Sequence, residues 1–141
     1  MGFIKELKII SEGQGTFQSE YLNFPIENRQ CEWLKINDEL SLSIQASGLH
    51  YCLPKKLVPL EEYTNFEMAI IINRNLVSDI STIKKLFKNY NRYDELMEYW
   101  NYGVFGYVRK ELLNDFYIYC KENLKDKKKK KIFTFKGGFK K

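Results

Sequence analysis

The chain has 141 residues, 44% of them hydrophobic and 16% aromatic, with 10 Tyr and 10 Phe. That is the size and composition of one domain with a buried core, and it excludes a disordered chain and a chain of two full domains. The net charge of +5 is unevenly placed: residues 125–141 hold nine Lys and one Asp, which leaves 14 basic and 17 acidic residues in 1–124. A mildly acidic body, 1–124, with a strongly basic tail, 125–141, is the expected organisation, and such asymmetry points toward nucleic acid or an acidic surface as a partner.

No apolar stretch approaches the ~20 residues that a bilayer crossing needs. The charged start Met1-Gly-Phe-Ile-Lys-Glu-Leu-Lys breaks a secretory h-region. Cys31, Cys52 and Cys120 are odd in number and form no C-x-x-C motif, which suits a reducing compartment and neither a disulfide framework nor a zinc ribbon. The expected setting is the cytoplasm of a bacterial host. Nineteen Lys to four Arg, with eleven Asn and two Ala, reflect A+T-rich codons and a low-GC bacterium or its phage.

In chain order, Phe3, Ile4 and Leu7 share one helical face, which predicts an N-terminal helix over 2–11 stopped at Gly13-Gln-Gly15. Phe17 to Ile26 reads as one edge strand or extended segment closed by Pro25. Trp33 to Ile36, the Asn37-Asp38 turn, and the alternation of Leu40, Leu42, Ile44 and Ala46 with Ser41, Ser43, Gln45 and Ser47 predict an antiparallel hairpin covered on one face. Phe66 to Ile72 is apolar on both faces, as a central strand is, and ends at the Asn73-Arg-Asn75 turn. Ile80, Ile83, Leu86, Phe87 and Tyr90 then recur at helical spacing behind Ser78 or Asp79 as N-cap. Tyr93 to Trp100 can add a further turn or two. Tyr102 to Val108 is strand-like, with Gly103 and Gly106 allowing a bulge or a close neighbour. A last helix is expected over 110–124, with Leu112, Leu113, Phe116, Cys120 and Leu124 inward. The fold class expected is α+β: an antiparallel sheet of four or five strands, helices from both ends of the chain on one face, and a basic C-terminal extension.

Candidate chemistry is sparse. His50 and Cys52 form the obvious nucleophilic pair, yet side chains at i and i+2 of a strand stand about 7 Å apart, too far for a hydrogen bond without a bend. Glu67 interrupts an apolar strand and is the best single candidate acid, although a solvent-facing or paired structural carboxylate is the favoured reading. Glu61-Glu62 and Asp94, Glu95 and Glu98 read as solvated faces. One His and the lack of ligand spacing give no basis for a metal or a cofactor, and neither is expected.

The tail differs in kind. Lys127, Lys128, Lys129, Lys130, Lys131, Lys136 and Lys140 can contact phosphate, and Phe133, Phe135 and Phe139 can stack on unpaired bases. Ile132 to Phe135 could instead pair with a sheet edge. Lys84, Lys85 and Lys88 form a secondary basic helix face, and Tyr99 and Trp100 are candidate protein-interface aromatics.

The runs Ser43-Ile-Gln-Ala-Ser47, His50-Tyr-Cys-Leu-Pro54, Leu60-Glu-Glu-Tyr-Thr64 with Glu67, and Gly103-Val-Phe-Gly-Tyr-Val108 resemble a group of small phage and mobile-element proteins over residues 32–120. The resemblance implies a genomic setting and no chemistry. The function expected first is a small non-enzymatic inhibitor or adaptor, for instance a phage anti-defence, anti-CRISPR-like protein that binds a nuclease–RNA complex. The alternatives are a single-stranded nucleic-acid-binding protein using the Lys/Phe tail, and a small enzyme using Glu67 or Cys52.

Overall fold

The run Phe66 to Ile72 becomes the strand around which the other elements assemble, because it carries apolar residues on both faces and finds partners on both edges. The structure, a computed structural model, describes residues 2–18 and 23–125, and for 14–18 and 23–27 it describes the backbone alone. Among them lie β1 (Ile9–Gln18), β2 (Asn23–Cys31), β3 (Leu34–Lys35), β4 (Leu40–Gln45), β5 (Asn65–Ile72), β6 (Asn75–Leu76), α1 (Ile80–Phe87), α2 (Tyr93–Met97), β7 (Trp100–Asn101), β8 (Val104–Arg109) and α3 (Lys110–Asn123). The fold is α+β with antiparallel sheets.

The larger sheet runs β3-β4-β5-β8-β7, with β6 also on β5. Its pairing places like with like: Leu42 opposite Ile70, Ile44 opposite Met68, and Phe66 opposite Val108. These side chains are buried, together with Leu40 and Phe105. Against them pack Ile83 and Phe87 of α1, and Leu112, Leu113, Phe116 and Cys120 of α3. Edge-on ring contacts run through this layer, Phe87 to Phe116 at 4.9 Å and Phe3 to Phe66 at 4.9 Å. The helix boundary at α1 follows its cap: the Asp79 carboxylate accepts from the Thr82 backbone N–H and from the Ser81 and Thr82 hydroxyls.

Two turns carry left-handed residues at both central positions, Asn73-Arg74 between β5 and β6 and Tyr102-Gly103 between β7 and β8. Positive φ at both positions is the geometry that matches the twist of a two-residue hairpin. In β8 the register moves from Phe66–Val108 to Met68–Phe105, so Gly106 and Tyr107 together face Glu67. This bulge is the one that Gly106 suggested, and it lets Phe105 and Val108 both enter the core.

The N-terminal third departs from expectation. The helix expected over 2–11 is a single 3-10 turn, Phe3–Glu6, without a side-chain cap, and from Ile9 the chain is strand. One turn of apolar spacing cannot offset the cost of helix nucleation, whereas pairing with Asn23–Cys31 satisfies the backbone along nine partners. The segment Phe17 to Ile26 is correspondingly not one strand; it belongs to both arms of a ribbon, with Phe17 opposite Phe24 and Thr16 opposite Pro25. Pro25 is tolerated because β2 pairs on one edge alone among the described residues. Among the described residues the larger sheet has six strands where four or five were expected, and the ribbon adds a second sheet in the region where a helix was expected.

Arg29 fastens this ribbon to the body. It is 3% exposed, and its Nη1 and Nη2 donate to the Ala46 and Val58 carbonyls at 3.3 and 2.7 Å. Its Nε donates to Glu12 Oε2 at 2.8 Å. The Gln45 amide completes the anchor, accepting from Cys31 N and donating to Cys31 O. Replacing Arg29 with Met orphans the buried Ala46 carbonyl, the half-buried Val58 carbonyl and the Glu12 carboxylate, and is expected to cost about 2–4 kcal/mol in urea unfolding. A chain ending at Leu124 is expected to keep a cooperative melt, because α3 closes there with Leu124 N on Cys120 O and Leu124 O held by Asn37 Nδ2.

Candidate interaction surface

The residues 46–58 between β4 and the β5 region hold His50 and Cys52, the pair that spacing disfavoured as a nucleophilic dyad, and the structure shows what they do. Ser47, fully buried, hydrogen-bonds His50 Nδ1 through its Oγ at 2.7 Å, and that oxygen also accepts from Leu49 N. The Cys52 thiol donates to the Ser47 carbonyl at 3.1 Å. The chain does bend here, with Cys52 N on His50 O at 2.9 Å, yet the bend directs the thiol and the imidazole to different partners on Ser47. Burial raises the Cys52 thiol above its ordinary range, the reverse of what an attacking thiolate needs. Cys31 and Cys120 are raised by burial as well. Burial also lowers His50, against an opposing pull from Glu67.

Glu67 is half-buried on β5, and its Oε1 accepts the Tyr51 backbone N–H at 2.9 Å. It is a structural acceptor. Ser47, His50, Cys52 and Glu67 together fold the loop so that Tyr51 lies over Gly106, where an added Cβ would come to 3.2 Å from the Tyr51 Cβ. Tyr107 N donates to Tyr51 O at 2.9 Å, and Asn65 Nδ2 donates to Tyr107 O at 2.8 Å. The two rings sit side by side, centroids 5.8 Å apart with planes at 30°. They remain 44% and 40% exposed. Leu49 and Leu53 are exposed in the same loop, and Lys55 Nζ lies 5.5 Å from the Tyr51 centroid while donating to His50 O. Tyr51, Tyr107 and Asn65 went unread in the sequence. Gly106 was the available signal for them, since a glycine bulge marks a place where another chain segment comes close.

The other predicted sites separate. Lys84, Lys85 and Lys88 are exposed on and just beyond the last turn of α1. Cations there also complement the helix dipole, a local reason for their position. Tyr99 and Trp100 are half-buried: Trp100 packs edge-on against Phe105 at 5.0 Å, and Tyr99 OH accepts from Arg109 Nε at 3.2 Å. Both belong chiefly to the rim of the core. Glu95, read as a solvated acid, lies instead in an ion-pair network, bound by Arg92 in bidentate fashion and by Arg109. Glu111 joins it through Arg92. Hydrogen bonds from Arg92 hold Glu95 and Glu111 below the ordinary carboxylate range, so both are fixed anions at neutral pH. Lys127 to Lys131, Phe133, Phe135, Lys136, Phe139 and Lys140 lie outside the described residues. No cluster of three or more His, Cys, Asp or Glu among the described residues could hold a metal ion, and no helix among them is long and apolar enough to cross a membrane.

The ribbon is the second surface feature. Among the described residues, its hydrogen-bonded anchors to the body are the Arg29 side chain and the Cys31 backbone at the base, while its pairing continues outward to Gln18 opposite Asn23. Neither outer edge has a ladder partner among the described residues. A bulge between Ile9 and Ser11 sets Ile9 and Ile10 toward different hollows, one with Glu12, Arg29 and Val58, the other with Trp33 and Glu32. Both isoleucines are exposed.

Two measurements check this arrangement. The native protein is expected to react slowly with a thiol reagent at pH 8 and to yield three equivalents once denatured, and Cys52→Ser should cost only about 1 kcal/mol of stability. His50 titrates below its ordinary 6.5 in the folded state, so the folded chain binds fewer protons than the unfolded one. Stability is then complete above pH 6.5 and falls as the pH drops toward the folded value; His50→Asn should flatten that slope in pH-dependent urea unfolding.

No protein-family model, curated protein or solved structure matches the chain.

Proposed function

We propose that the chain is a small non-enzymatic inhibitor or adaptor that works by binding a protein target, with the β1–β2 ribbon as its docking element. The observation that carries this reading is the ribbon itself, a two-stranded sheet anchored at one end and bearing unpaired outer edges among the described residues. A lone two-stranded hairpin is marginal in water, and an open edge offers backbone donors and acceptors to an incoming strand. Edge pairing with a partner satisfies both constraints at once.

The finer form of this proposal is a phage anti-defence protein acting in the bacterial cytoplasm on a nuclease–RNA complex. The low-GC composition and the acidic body support it, because a body of net −3 complements a basic nucleic-acid channel while the tail meets phosphate. Direct binding of single-stranded nucleic acid through the tail is the second reading, favoured by the concentration of nine lysines after Leu124. An enzymatic use of Cys52 or Glu67 is disfavoured by the buried, raised thiol and by the bond from Tyr51 N to Glu67.

The test shortens the ribbon. Glu12 and Arg29 face each other in register, so joining them through Asn-Gly in place of 13–28 retains the anchor and removes the arm. The shortened protein should melt close to the full chain yet lose a partner that the full chain captures from an RNase-treated low-GC bacterial lysate at moderate salt. Equal capture by both forms would assign docking to another surface and end this reading.

A further inference from the structure

Tyr51 and Tyr107 are costly to display. Both are large rings held at the surface, and Tyr107 adopts a left-handed backbone, φ 60°, a conformation that disfavours bulky residues. The fold nevertheless fixes them through Glu67, Asn65, the close approach at Gly106 and the buried Ser47 turn. Such rigid display of two neighbouring rings suits a ligand with flat faces.

We propose that Tyr51 and Tyr107 form a stacking platform for unpaired nucleobases, with Lys55, whose Nζ stands over the Tyr51 ring, meeting the adjoining phosphate. The proposal rests on the chain being a binding protein, and it gives that protein a nucleic-acid contact separate from the ribbon. Base stacking on aromatic side chains is tolerant of sequence and needs them at the surface, where Tyr51 and Tyr107 stand 44% and 40% exposed. Lys55 supplies a cation over the Tyr51 ring, and the exposed Thr64 and half-buried Asn65 add a polar rim. The net charge of +8 in residues 125–141 favours a polyanion as the ligand. Leu49 and Leu53 would serve a protein anchor equally well; the cation beside paired rings and the basic tail favour nucleic acid.

The experiment measures fluorescence anisotropy of labelled oligo(dT) and oligo(U) 15-mers with the full chain over a salt series. Tyr51→Ala and Tyr107→Ala should each weaken binding about 5- to 150-fold, with the log–log salt slope unchanged. Tyr51→Phe, which retains the π-face, should bind within about twofold of the parent, whereas Tyr51→Leu, of similar bulk without one, should behave as the alanine variant does. Neutralising Lys127 to Lys131 should instead remove about 3.5 from the slope. The ribbon-shortened protein should bind these oligonucleotides normally, so failure here and failure of ribbon docking are distinguishable. Thermal melts control for folding, and if an alanine variant is unfolded the Phe and Leu pair decides. The proposal is overturned if the parent binds neither oligonucleotide, or if folded Tyr51→Leu and Tyr107→Ala bind as the parent does. Loss of RNase-resistant protein capture alone would identify the rings as a protein anchor and overturn it too.

Discussion

A buried guanidinium, helped by the Gln45 amide, joins the β1–β2 ribbon to the larger sheet. Arg29 leaves water almost completely, and a charge so placed must find acceptors in a fixed geometry. It finds the Ala46 carbonyl just past β4, the Val58 carbonyl in the loop that follows, and the Glu12 carboxylate across its own ribbon. Three segments of the chain therefore share one donor group. The guanidinium also stands 5.8 Å from the Tyr63 ring centroid, so its apolar face meets the core while its edge meets oxygen. The same planar group ties the ribbon to both ends of the 46–58 segment.

Polar residues that resemble catalytic machinery perform a structural task here. Ser47, His50, Cys52 and Glu67 lie within one loop and the strand beside it, but each spends its hydrogen-bonding capacity on backbone or on one another. A nucleophile needs an accessible, ionisable atom with an adjacent base; the Cys52 thiol is buried and its proton is directed at a carbonyl. The network's output is the position of Tyr51, and through Tyr51 O the position of Tyr107. Rigidity of the loop and exposure of the rings are thus one design. Chemistry that would be squandered on catalysis in this setting is well suited to preorganising a surface, because rings already fixed lose little entropy on binding.

The charged groups divide in the same manner. Arg92 and Arg109 are committed to Glu95 and Glu111, stitching α2, β8 and the start of α3 together at the protein's rim. These exposed pairs are worth little singly, and their effect lies in fixing the relative placement of those elements. The lysines concentrated after Leu124 stand apart from that network in sequence, as a source of long-range attraction that needs no precise geometry.

Periodicity made β4, α1 and α3 readable in advance, since each buries one regular face and its spacing records that face: Leu40, Leu42 and Ile44 in steps of two, Ile83 and Phe87 at helical spacing; β5 was readable as an apolar run buried on both faces. Asp79 as a cap, Gly106 as a bulge and the Asn73-Arg-Asn75 turn were legible for the same reason, because each residue type answers a local backbone demand. The ribbon was not legible. Phe3, Ile4 and Leu7 carry a helical signal over one turn, and only a partner strand twenty residues away makes the following residues extended. The charge split between body and tail was likewise fixed by composition alone. What tertiary structure decided was every contact between segments distant in sequence: that Arg29 seeks Val58, that Glu67 caps Tyr51, and that Tyr51 comes to rest beside Tyr107. Local propensity is additive along the chain, but a hydrogen bond between distant segments exists only when the whole chain has closed around it.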